Sequence, residues 1–68
     1  MKTYIIIYHL DEDNWKLYEL NPKTNNPKGY PIISNDESVY ELLEEAQEYG
    51  IPREAVLGKA QDNMVTFE

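Results

Sequence analysis

The sequence predicts a two-layer α+β domain, an antiparallel β-sheet of three to five strands with one amphipathic helix packed on one face, in ββ(β)α-β(β) order. Three observations carry this. A β-branched run at residues 3–10 is followed, after four polar residues, by a second alternating stretch at 15–20. Apolar residues then recur at helical spacing between Val39 and Tyr49. Gly50-Ile51-Pro52 closes that helix, and a further β-rich stretch follows. With 68 residues the chain is one domain, 1–68, near the lower limit for folding without a staple.

The first stretch, "TYIIIYHL", places Tyr4, Ile6, Tyr8 and Leu10 on one face and Ile5, Ile7 and His9 on the other. Both faces are largely apolar, which predicts a central strand. "WKLYEL" is its hairpin partner, joined through Asp11 to Asn14, with Asn14 suited to left-handed backbone. "NPKTNNPKG", residues 21–29, reads as a loop, because Asn-Pro starts turns and occurs twice. "YPIIS", residues 30–34, is a short third strand, and Pro31 confines it to a sheet edge or to its own first position.

The helix is predicted over about 35–49. Ser34 followed by Glu37 fits a capping box. Val39, Leu42, Leu43, Ala46 and Tyr49 line one face. Gly50 supplies the left-handed position after the last turn, and Pro52 blocks continuation while starting a short turn of its own. Beyond it, Val56 to Ala60 and Met64 to Phe67 predict a second hairpin turning at Gln61-Asp62-Asn63. The alternative extends the helical turn to Leu57 and leaves only the last strand.

Composition excludes several classes of function. No cysteine means no disulfide scaffold, no thiolate zinc site and no thiol nucleophile, and it suits a reducing compartment, so a cytoplasmic location is expected. The N-terminal apolar run is too short for a signal sequence or a membrane span. Thirteen acids against six bases give a net charge of −7, which repels phosphate backbones and anionic lipid. Neither nucleic acid nor membrane is therefore an expected partner; a basic protein is.

Catalytic and metal chemistry find little support. His9, Asp11 and Asp13 are spaced to share one side of an extended chain, but the chain has to reverse there, which spreads them apart. "DEDN" lacks the glycine and distal glutamate of a calcium loop. His9 is expected half-buried beside aromatics, with acids near enough to make it pH-responsive. A serine triad would need Ser34 or Ser38, both in the helix start, and the three glycines are isolated. The chain is expected to be no enzyme and to need no cofactor or metal, a small site around His9 being the least favoured alternative.

The helix surface is the most informative feature. Between Asp36 and Tyr49 lie six acids and no base. Pairs 37/41, 41/45 and 44/48 set like charges one turn apart, which weakens a helix. Such a stripe is either a solubilising face or a surface that steers a basic partner. Six tyrosines against one phenylalanine favour aromatics with a polar end, as binding surfaces do. The candidate protein-binding residues are Glu37, Tyr40, Glu41, Glu44, Glu45 and Glu48. Tyr40 lies off the apolar stripe, as an exposed anchor would.

From "YIIIYHLDEDNWKLYEL" through "GYPIISNDESVYELLEEAQEYG", residues 4–49, the order of elements resembles the α/β domain of HicB-type antitoxins. The loop 21–29 is longer here, and no DNA-binding segment follows the last strand, so an operator-binding role does not carry over. The resemblance implies a layer that binds a small protein partner. The functional expectation is a protein-binding module, an inhibitor or regulator of the kind phages and mobile elements encode, whose glutamates stand in for phosphates. The alternative is an antitoxin-like subunit dimerising through an uncovered sheet face.

Overall fold

The computed structural model describes residues 1–68 and holds four strands and one helix. Strands β1 (Tyr4–His9), β2 (Asn14–Asn21) and β3 (Asn26–Asn35) precede helix α1 (Val39–Glu48), and β4 (Val56–Gln61) follows it. The sheet order is β3-β2-β1-β4. The α+β class, the single helix and the strand count match the sequence reading. The sheet, however, is mixed. Strands β1–β2 and β2–β3 pair antiparallel, whereas β4 runs parallel to β1, with Tyr4 opposite Val56 and Ile7 opposite Ala60. Helix α1 carries the chain from β3 at one edge across the sheet to β4 at the other, and this crossover sets β4 parallel to β3 and hence to its neighbour β1.

The first hairpin is as expected, but its left-handed residue is Asp13 rather than Asn14. The Asp13 amide closes the turn onto the His9 carbonyl at 2.8 Å, and Asn14 is already in β2. Only Pro22–Asn25 of the predicted loop is a turn, because Asn26–Gly29 joins β3. Asn21 builds that turn: its carbonyl accepts the Asn25 amide at 2.7 Å, and its side chain accepts the Lys23 amide. Strand β3 lies at a sheet edge, the placement its prolines require.

The helix starts four residues later than predicted. Asn35 accepts the amides of Glu37 and Ser38 at 2.8 and 3.0 Å, which holds the chain in a turn after β3. Ser38, not Ser34, is the cap; its hydroxyl accepts the Glu41 amide at 3.1 Å. At the other end the Ile51 amide reaches the Ala46 carbonyl and the Gly50 amide reaches Gln47, with Gly50 at φ 86°. This paired closure needs a residue free to adopt positive φ, and it turns Ile51 back under the helix. Leu42, Ala46 and Ile51 form the core with Ile6, Leu17 and Ile33. Tyr49 is not part of the buried stripe: it caps the helix, and its side chain is exposed.

No second hairpin forms. Asp62–Met64 is a turn of 3₁₀-helix, and the chain then leaves the β4 edge. It crosses the sheet face opposite the helix, where the Phe67 ring lies 5.7 Å from His9 and 5.2 Å from Tyr18. At the far edge Glu68 donates its amide to Pro27 and accepts that of Gly29, both at 3.0 Å. The face expected to stand open is thus covered by the chain's own segment 62–68, and Ile7, Tyr18 and Leu20 are buried there. A fifth strand beyond β4 would have left these side chains in water. No helix of the molecule is long and apolar enough to cross a membrane.

Candidate protein-interaction surface

Leu42 and Ala46 anchor α1 to the sheet, which turns the intervening glutamates outward. Glu41, Glu44 and Glu48 are exposed, as is Glu37 in the turn before the helix. Glu41, Glu44 and Glu45 together border one shallow depression. Glu45 stands apart from the rest: it is half-buried and accepts a 2.8 Å hydrogen bond from the Asn35 amide group, so it ties the helix to the end of β3. Tyr40 is 70% exposed and Tyr49 68% exposed, one near each end of the helix. Sequence periodicity placed Tyr49 in the core; its position immediately before the left-handed Gly50 was the available sign that it caps the helix instead.

The electrostatics of this face differ from those elsewhere. No salt bridge reaches any acid of α1, and the last turn holds no basic residue to meet the helix dipole. Glu37 is held above the usual carboxylate range, first by a side-chain hydrogen bond with Glu41 and then by that neighbour's charge. The two carboxylates crowd each other where a counter-charge is lacking.

The hairpin tip is the opposite case. Lys16 meets both carboxylate oxygens of Glu12, at 2.8 and 3.0 Å, and this hydrogen bonding lowers the Glu12 pKa. The Tyr8 hydroxyl donates to Asp13, which raises the pKa of the phenol. His9 turns away from Asp11 and Asp13. Its Nε2 lies 2.8 Å from the Tyr18 hydroxyl and its Nδ1 3.7 Å from Asp62, while burial pushes the Tyr18 phenol above its ordinary value. The sequence-spaced trio therefore does not converge, and no group of three acidic or histidine side chains is placed to hold a metal.

Another polar assembly was not anticipated from sequence. The Glu68 carboxylate accepts hydrogen bonds from Asn21 at 2.7 Å, Thr24 at 2.5 Å and Asn26 at 3.1 Å. Those bonds, the Thr24 hydroxyl foremost, hold its pKa below the usual range. The loop set aside as a run of turn residues is the cradle for this side chain. Comparison with protein families, curated proteins and solved structures finds no match.

Proposed function

We propose that the chain is a non-enzymatic binding module that engages a basic protein through the outward face of α1. One observation carries the reading: the exposed acids of α1 have no counter-charge within the chain, although lysines elsewhere on the same molecule are paired. A partner that supplies lysine or arginine to Glu37, Glu41, Glu44 and Glu48 brings the missing counter-charge and relieves like-charge crowding. Tyr40 and Tyr49 bracket the acids with large side chains that bury area on contact at little entropic cost. Spaced carboxylates on a rigid helix also suit a partner built to hold phosphates, which makes an inhibitor of a nucleic-acid-binding protein the favoured form.

The role of Glu45 is structural, so the working set is Glu37, Glu41, Glu44 and Glu48 with the two tyrosines. The test is the association rate of the captured partner at stepped ionic strength. Rates that fall steeply as salt rises are expected, because the charge sits on an exposed face. A rate indifferent to salt removes the reading. The second reading, a regulatory subunit paired through its sheet, is left with only the β4 edge, since segment 62–68 covers the open face.

A further inference from the structure

The two edges of the sheet are built differently. Strand β3 carries Pro27 and Pro31 and bulges between Lys28 and Ile33, so that Gly29–Ile32 stand against a single residue of β2, and Glu68 occupies its backbone at Pro27 and Gly29. These are the devices that stop a sheet edge from recruiting another strand. Strand β4 bulges once, where Leu57 and Gly58 stand against the single residue Ile5 of β1, but it has neither of the other two devices. Its six residues hold no proline, its outer backbone meets no other strand, and Leu57 is 61% exposed. On the helix side a groove of about 230 Å³ runs between α1 and β4, lined by Val39, Leu43, Val56 and Leu57 together with Arg53 and Lys59. A second hollow of about 540 Å³ shares Lys59 and continues to Trp15 and Met64.

Charge selects the occupant. Three of the six basic residues are engaged: Lys2 and Lys28 with Glu19, and Lys16 with Glu12. Of the three left unpaired, two, Arg53 and Lys59, lie on this groove. We propose that the β4 edge and its groove accept an extended acidic segment of a partner, which adds as a fifth strand. Alternate side chains of an added strand fall on the groove side, where aliphatic ones meet Val39, Leu43 and Leu57 and carboxylates meet Arg53 and Lys59. A second copy fits poorly, because it brings the same cations to the same groove and sets two chains of charge −7 together. The groove shares Tyr40 with the outward face of α1 but none of its glutamates, so the assignment stands on Arg53, Lys59 and the β4 edge if the reading of the acidic face fails.

The test uses a fluorescein-labelled peptide of about eight residues, valine and threonine with two glutamates on one face, against the same peptide with lysines for glutamates. The glutamate peptide is expected to bind at least about tenfold more tightly and to slow amide exchange along β4. Arg53→Glu with Lys59→Glu reverses that preference. Lys59→Ala, a milder change on an exposed side chain, weakens it at an unchanged thermal midpoint. Equal affinity for the two peptides, no binding of either, or slowed exchange outside β4 overturns the proposal. Slowed β4 exchange that grows with protein concentration and without peptide assigns the edge to a second copy, and overturns it too.

Discussion

The sheet side and the helix side of this molecule handle negative charge in opposite ways. On the sheet side each carboxylate with a structural task has its partner: Glu12 has Lys16, Glu19 has Lys2 and Lys28, and Glu68 has three side-chain donors. On the outer face of α1 the exposed glutamates have only one another. A fold that pairs its charges where it needs them shows that unpaired ones elsewhere are not forced by a shortage of lysine. Lys23, Arg53 and Lys59 form no salt bridge, yet none of them meets an acid of α1. On the proposed reading, the helix face keeps its charge for a partner outside the chain.

The contrast can be broken most severely at the seam between the two sides. Leu42 is fully buried between α1 and the sheet, and Leu42→Ala should cost about 2–5 kcal/mol. In a domain this small that unfolds a large fraction of molecules, which chemical denaturation will show directly. Phe67→Ala acts on the sheet side alone. Its ring is partly exposed, so the loss should be about 1–2 kcal/mol. The Gly29 amide, which bonds to Glu68, should then exchange faster while the amides of α1 are unaffected.

Glu68→Gln sharpens the comparison through pH. The folded chain holds the Glu68 carboxyl below the usual range, so it binds that proton less readily than the unfolded chain. Its contribution is present at neutral pH and is lost as pH falls through the lowered value. The melting temperature of wild type should exceed that of the variant at pH 7, and the gap should close in acid. Glu37→Gln carries the opposite sign. Its folded pKa is raised, so the charged form is a burden at neutral pH that acid relieves. This variant should melt about 1–3 °C higher at pH 7, the smallest effect of the set, with no gain in acid.

Local pattern made part of this legible. Alternation identified β1 and β2, and the 3.6-residue repeat placed Leu42 and Ala46 in the core. Gly50-Ile51 announced the helix end because only positive φ allows that closure. What escaped depends on distant partners. The parallel pairing of β4 with β1 is a product of the crossover rather than of β4's own residues. Asp62-Asn63 suits a hairpin turn, yet the chain is drawn across the sheet by Ile7, Tyr18 and Leu20, which need cover. Asn35 displaced the helix start by taking two amides for itself. In the candidate face, exposure of Tyr40 and of Glu41, Glu44 and Glu48 followed from the helical repeat, whereas Glu37 is exposed in the turn before the helix. The tie from Asn35 to Glu45 did not, because it joins residues from different elements.

The most direct measurement compares two charge-reversed variants as baits in the native host extract. One carries Glu41→Lys, Glu44→Lys and Glu48→Lys on the exposed helix face. The other carries Asp11→Lys, an exposed change at the hairpin tip. With both folded by circular dichroism, the tip variant should recover the same basic protein as wild type, and the helix variant should lose it. Recovery of that protein by the helix variant at the wild-type level would contradict the account.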